Sequence, residues 1–314
     1  MHLMEMSPES AAWVLRAMRR VAEADGESHP LEDAMIDVAA ELCGISTEGS
    51  ESCEPEELET AGLSAKDAER LVQACIMVAL MDERVAPEEV QIIGRFAAAC
   101  GVSEPRVENL SQLARGATTM LWLDLARRSF ARDVFAETLK TKGLAGVWKI
   151  VGPILGRASD PDLARRYIAL GELADNTVGH AYFKLLVDNE FPFPGEKGAV
   201  AEEGLWHDFS HVIGGYGTDP IGELEVVSFI AGFARQDPFF WLFTITLQFH
   251  LGVRVSPFAG GSPGHFDPAR IGRALSRGAG MNVDLSVLGF DPWVYFSQDL
   301  EAVRREMGLD VADR

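Results

Sequence analysis

The sequence predicts an all-α protein. Three observations point that way. Apolar residues recur at helical rather than alternating spacing. No pair of strand-like runs with hairpin turn chemistry appears. Helix-start signals also punctuate the chain: Asp-Pro occurs at 160–161, 219–220, 237–238, 267–268 and 291–292, and each pair fits an N-cap followed by the first helical residue. A length of 314 residues suits two domains or one large one. We expect a helical repeat domain over residues 1–114, then a larger helical domain over 115–314 that carries a metal site.

The N-terminal third repeats itself at an offset of 57 residues. Val21-Ala22-Glu23-Ala24-Asp25 aligns with Val78-Ala79-Leu80-Met81-Asp82. Pro30, Glu32, Ile36, Ala40, Cys43, Gly44 and Ser46 recur as Pro87, Glu89, Ile93, Ala97, Cys100, Gly101 and Ser103. Each copy reads as helix, short acidic turn, helix and Gly stop. Ile92, Ile93, Phe96 and Ala97 carry the helical apolar spacing of the second copy. The Cys of each copy falls near the end of its second helix, a place for a small buried side chain. Residues 48–59, rich in Ser and Glu, are expected to form an exposed loop between the copies. Asp25, Glu32, Asp82 and Glu89 have two readings. They share a second cation site, or they are turn and helix-start acids that complement the helix dipole, which is the commoner use. The patterns Asp-Gly-x-x-x-Pro-x-Glu at 25–32 and Asp-Glu-x-x-x-Pro-Glu-Glu at 82–89 resemble the TerB-like tellurite-resistance family of helical domains, over residues 10–112.

The run from Trp206 to Glu223 holds the main candidate chemistry. His207 and His211, four apart, project from one face of a helix. That helix should stop at Gly214-Gly215. A second should start at Asp219-Pro220, placing Glu223 in its first turn. Two imidazoles and a carboxylate suit a divalent transition metal, zinc first, then iron or manganese. Asp208 points about 100° away from His207 on an ideal helix, so it is a ligand or it orients an imidazole. The competing reading is a pair of histidines with local hydrogen bonds. Tyr216 and Thr218, in the intervening turn, contact substrate or simply pack and cap it. His180 and His250 are read as satisfied core or tunnel-wall residues. The run Phe239-Phe240-Trp241-Leu242-Phe243 with Ile245 and Leu247 is apolar all round and so predicts a buried helix. Its default role is core packing, with a pocket for a prenyl tail as the minority reading.

His-Asp-x-x-His followed by eleven residues and Glu resembles the hallmark of the coenzyme Q biosynthesis protein four family, which acts in ubiquinone formation. Leu173-Ala174-Asp175-Asn176-Thr177-Val178-Gly179-His180-Ala181-Tyr182 is similar to that family's Leu-Pro-x-x-Thr-x-Gly-x-x-Tyr segment. Trp293 and the run Leu300 to Gly308, with Arg304, look like its C-terminal Trp, Leu, Arg and Gly. Two features depart: Ala174 stands in place of Pro, and the acidic run Ala201-Glu202-Glu203-Gly204 replaces an aromatic stretch. The resemblance implies oxidative decarboxylation of a prenylated aromatic acid in quinone metabolism. His207, His211 and Glu223 would hold the metal, with Asp208 as ligand or orienter, and these four would form the catalytic set. It implies isoprenoid lipid and other biosynthetic proteins as partners. Zinc cannot accept electrons, and no flavin or nicotinamide motif is visible. Electrons would therefore go to a redox-active metal, to oxygen or to a partner. The alternative is a non-catalytic lipid-binding scaffold with a structural metal. A third reading is a stress-response protein led by its TerB-like part.

The formal charge of −20 excludes nucleic acid, whose phosphates need a basic face. It also opposes simple attachment to anionic lipid. Acid clusters at 48–59 and 202–203, whereas Arg127, Arg128, Arg132, Lys140, Lys142 and Lys149 form a basic stretch. That stretch is a solvated helix face, or a local patch for a membrane or a partner. Cys43, Cys53, Cys75 and Cys100 are read as reduced and structural, not as a zinc set. No secretory signal is visible. The longest apolar run, Pro238 to Val253, falls short of the roughly 20 residues of a membrane span. A cytoplasmic protein, touching membrane only peripherally, is expected. Ala259 to Gly264 is a loop without a Walker lysine, and there is no Rossmann fingerprint.

Overall fold

The computed structural model describes residues 5–26, 29–47, 51–82, 84–128, 136–141, 143, 147–148, 151–152, 157–255 and 260–309. Arg132, Lys142 and Lys149 of the basic stretch, residues 48–50 of the expected loop, and Ala259 lie outside them. The described residues are helical, with no strand among them and only one isolated bridge, Thr177 with Asp299. None of their helices is long and apolar enough to cross a membrane.

The internal repeat is a repeat of structure. Helices α1 (Pro8–Ala22) and α2 (Pro30–Cys43) recur as α3 (Ala65–Ala79) and α4 (Pro87–Ala99). The start of each helix keeps the sequence offset. Gly44 and Gly101 close α2 and α4 in the left-handed region, at φ 67° and 65°. Glu32 accepts from the backbone N–H of His29 at 3.1 Å, and Glu89 from that of Ala86 at 2.7 Å, so the same glutamate of each copy caps the start of its second helix; only the first copy returns the bond, from Leu31 N–H to His29 Nδ1. Inward faces such as Val14, Leu15, Met18, Leu71, Ile76, Ile93 and Phe96 are buried and form the core. The expected loop is partly ordered instead. Pro55–Thr60 forms a 3-10 helix, and Cys53, Pro55 and Leu58 are buried, because Glu57 caps the N–H of Glu54 at 2.8 Å. Cys43 and Cys100 are half-buried, whereas Cys53 and Cys75 are buried, and all four thiols are free. Burial pushes the Cys43 and Cys53 thiols up to about 11.

Next come α5 (Pro105–Ala114), α6 (Thr118–Arg128), α7 (Pro161–Ile168), α8 (Val178–Asp188) and α9 (Leu205–Gly214). The chain continues with α10 (Pro220–Phe233), α11 (Pro238–Phe249), α12 (Pro268–Ala279) and α13 (Leu300–Glu306). Four of the five Asp-Pro pairs start an element with the Asp side chain as cap: Asp160, Asp219, Asp267 and Asp291 each accept a backbone N–H. Asp237 does not. Its carboxylate pairs with the buried guanidinium of Arg106, and its backbone is left-handed at φ 42°.

Two compact units result: Met1–Leu125 with Val227–Gly232 and Asp237–Ala279, and Ala126–Val226 with Phe233–Gln236 and Gly280–Arg314. They depart from the consecutive division expected at residues 114 and 115. The reason is packing within the first unit. There α12 lies on α2, with Gly272 so close to Val38 that an added Cβ would sit 2.5 Å from its Cγ1. His250 Nε2 likewise faces the Met81 carbonyl at 3.0 Å, and the residue is buried in the core. The apolar helix α11 belongs to this unit, and its Phe239, Phe240, Leu242, Phe243, Ile245 and Leu247 are buried.

Candidate metal centre

The second unit builds its site from two helices and the turn between them. Helix α9 ends at Gly214, as the Gly pair predicts. Gly215 takes φ 74°, a conformation that a side chain disfavours, and its N–H returns to the His211 carbonyl at 2.8 Å. Asp219 then caps the N–H groups of Ile221 and Gly222 at 2.9 and 3.2 Å, and α10 begins. Gly222 packs against the turn itself. A Cβ there would meet the Gly217 carbonyl oxygen at 2.2 Å, so only glycine lets the chain fold back this tightly.

The turn delivers Glu223 to the two histidines. His211 Nε2 lies 3.2 Å from Glu223 Oε1, and His207 Nε2 lies 3.5 Å from Glu223 Oε2. The imidazole centroids are 4.9 Å apart. Among the described residues, these three form the one group of three or more His, Cys, Asp or Glu side chains close enough to share an ion, with ligand atoms within 4.8 Å of one another. The far nitrogens are occupied. His211 Nδ1 faces the Tyr216 carbonyl at 3.3 Å, and His207 Nδ1 faces Asp208 Oδ1 at 3.4 Å. An imidazole whose Nδ1–H donates to an oxygen presents the Nε2 lone pair to the centre. Asp208 therefore stands behind His207 and outside the converging set. Tyr216 contributes through its main-chain carbonyl. The Thr218 hydroxyl donates to Asn189 Oδ1, so it ties the turn to the end of α8.

Charge follows from the geometry. Burial opposes an imidazolium at His207, but Asp208 and Glu223 outweigh it and hold His207 well above the ordinary histidine range. Burial would raise Glu223, yet the two histidines outweigh it and hold the carboxyl below its ordinary range. Any cation that binds must displace that proton. Tyr182 on α8 is fully buried. Burial, followed by the Asp208 charge, keeps its phenol well above its usual value.

Sequence reasoning missed how Arg304 acts. Its guanidinium is buried and donates from Nε to the Ile213 carbonyl at 2.9 Å and from Nη2 to the Val212 carbonyl at 2.8 Å. It so satisfies carbonyls that α9 leaves free at its C-terminus. Nη1 is held by Glu301 at 2.7 Å. The only prior signal was its place in the C-terminal Leu-Arg-Gly run. His180 Nδ1 faces the Leu173 carbonyl at 3.1 Å, a local hydrogen bond as expected for a lone histidine.

In the first unit Asp25, Glu32, Asp82 and Glu89 lie within electrostatic reach of one another. Burial, then the charges of the other acids, hold Glu32 at about 7 and Glu89 at about 8, each against a backbone hydrogen bond that lowers it. No three of them converge as the histidine group does. Glu32 and Glu89 occupy helix-start positions, where each accepts a backbone N–H.

Fold and site together define an all-helical protein with a TerB-like N-terminal part and a two-histidine, one-carboxylate cluster. Residues 1–54 match the family described as Tellurite resistance protein TerB, a span that covers the first copy of the repeat, α1 and α2. Neither the curated proteins nor the solved structures contain a match to the chain.

Proposed function

We propose that the second unit is a divalent-metal centre of quinone or isoprenoid metabolism, acting on a prenylated aromatic acid by oxidative decarboxylation, in which the ring carboxyl leaves as carbon dioxide and the electrons pass to dioxygen or a partner protein. The observation that carries the proposal is the convergence of His207 Nε2, His211 Nε2 and the Glu223 carboxylate within 4.8 Å, each imidazole held from behind by an oxygen. A cation held there would polarise the substrate carboxylate or a neighbouring ring oxygen as a Lewis acid. His207, His211 and Glu223 are the holding residues. Asp208 and the Tyr216 carbonyl fix the two rings, and Asp208 keeps the His207 proton on Nδ1. Three protein donors leave room for a substrate oxygen, which favours catalysis over a closed structural site. Zinc fits the donor set first, with iron or manganese as the redox-capable alternatives.

Elemental mass spectrometry of the untagged protein tests the reading. We expect about one zinc, iron or manganese per chain, lost in His211→Ala with the circular dichroism spectrum unchanged. Affinity should strengthen as pH rises, because protons leave the His207–Glu223 pair. A wild-type protein that takes up no metal after reconstitution sinks the proposal. In that case the lipid-binding scaffold takes its place.

A further inference from the structure

Tyr182 carries a buried hydroxyl that packing does not explain. The residue lies on α8, is 0% exposed, and its Oη is buried without a hydrogen-bond partner. Most buried polar atoms of a native interior are paired, so this one calls for a cause. Its ring is held in place. Gly179, one turn earlier on α8, donates its N–H to the Phe296 carbonyl at 2.9 Å, and a Cβ there would meet that oxygen at 2.8 Å. The helix is thereby pressed on the C-terminal segment. Tyr182 packs against Phe296 and Tyr167, with ring centroids 5.4 and 6.0 Å away.

Two carboxylates lie near the phenol. Glu202 is already engaged, because its Oε1 accepts the Tyr167 hydroxyl at 2.8 Å and the Trp293 indole N–H at 3.2 Å. Asp208 has room for a further donor. His207 Nδ1 meets its Oδ1 at 3.4 Å, which leaves Oδ2. After burial, Asp208 is also what acts most strongly on the phenol, as a charge and as an acceptor. Helices α8 and α9 pack directly on each other, so a small turn of the Asp208 carboxylate closes the bond.

We propose that Tyr182 is a positioning residue of the metal centre: its hydroxyl donates to Asp208 and so fixes the carboxylate that orients His207. The inference rests on the metal-centre reading and adds to it the residue behind Asp208. The relay runs from phenol to carboxylate to imidazole. Toward a carboxylate a neutral phenol can only donate. Held from both sides, Asp208 keeps the His207 proton on Nδ1 and leaves the Nε2 lone pair to the ion.

Zinc titration of the full chain against a chromogenic chelator tests it, with the wild type, Tyr182→Phe, Asp208→Ala and the double variant. Phe keeps the ring and its packing, so only the hydroxyl is lost. Tyr182→Phe should bind zinc about tenfold more weakly, as when a partner behind a metal ligand is removed. In the Asp208→Ala background the same change should cost nothing further, because the hydroxyl acts only through that carboxylate. A hydroxyl that merely fills space predicts otherwise: unchanged zinc affinity and a higher melting temperature for Tyr182→Phe, since a buried unpaired group is removed. That result overturns the proposal, as does an equal loss of affinity with and without Asp208. Zinc bound equally by the wild type and Tyr182→Phe removes only the role of Tyr182. A wild type that binds no zinc is a different failure, which removes the metal centre and this inference with it.

Discussion

Glu89→Gln should stabilise the protein, and the gain should depend on pH. Glu89 is 1% exposed. Its Oε2 accepts the Ala86 N–H at 2.7 Å, while its Oε1 is buried without a hydrogen-bond partner. Asp82, Glu32 and Asp25 add repulsion, and burial with these charges holds the carboxyl at about 8. Below about pH 4.5 the group is protonated in both the folded and the unfolded chain, so it contributes no difference. Between about 4.5 and 8 the unfolded chain ionises and the folded one does not, so the wild type loses stability as pH rises. Above about pH 8 the loss levels off, on the order of 5 kcal/mol. Gln keeps the acceptor at the helix start, and its amide N–H groups can donate to the neighbouring carboxylates. Loss of the charge–dipole attraction returns about 0.5 kcal/mol. Urea unfolding of both proteins at about pH 5 and about pH 9 measures the difference. The variant should be more stable by several kcal/mol at the higher pH and nearly equal at the lower. A variant less stable at high pH, or a gap that does not change with pH, refutes the reasoning. Calcium separates the two readings of the four acids. If they share a cation, added calcium stabilises the wild type at high pH and leaves Glu89→Gln unmoved.

Two further changes probe the support of the histidine helix. Arg304→Ala leaves the Ile213 and Val212 carbonyls and Glu301 without their buried partner, and should cost about 3 kcal/mol in urea unfolding; Arg304→Lys, with one donor group in place of a fork, should recover part of it. An unchanged midpoint for Arg304→Ala would show that the C-terminus of α9 needs no cap. Gly222→Ala puts a Cβ where the Gly217 carbonyl lies and should displace the turn, weakening zinc uptake by about tenfold or more. Wild-type affinity in that variant would mean that the turn does not position Glu223.

Much of the local structure is legible because its causes are local. Pro30 and Pro87, with Gly44 and Gly101, punctuate both repeat copies, and the helices begin and end at those marks. Asp219-Pro220 and Gly214-Gly215 likewise set the limits of the ligand helices, and from these limits the approach of Glu223 to the histidines follows. What stays hidden depends on partners distant in sequence. Asp237 has the same local chemistry as the four capping aspartates, but Arg106, 131 residues away, takes its carboxylate. The association of α12 with α2 rests on a Gly272–Val38 contact that no periodicity records. Arg304 is one basic residue on an amphipathic helix until α9 is placed against it. The sequence leaves Asp208 open as ligand or orienter, because a helical wheel fixes an angle and not the ring rotation that turns His207 Nδ1 toward it.

The helix termini explain why the cluster can serve a cation at all. His211 lies in the last turn of α9, where the dipole favours positive charge, and Glu223 in the first turn of α10, where it favours negative charge. Each group thus sits where its helix stabilises the form that a metal site requires of it or places beside it. The ends differ in how their free backbone groups are met. Arg304 and the Gly215 N–H satisfy carbonyls of α9, and Asp219 takes the first N–H groups of α10. The helix ends are therefore fixed before any ion arrives, and the attraction between a protonated His207 and the Glu223 carboxylate holds the side chains together in its place. Binding becomes an exchange of a proton for a cation within an arranged set of donors. Little side-chain ordering remains to oppose it, and that is why the proposed site should gain affinity with pH while the fold around it stays the same.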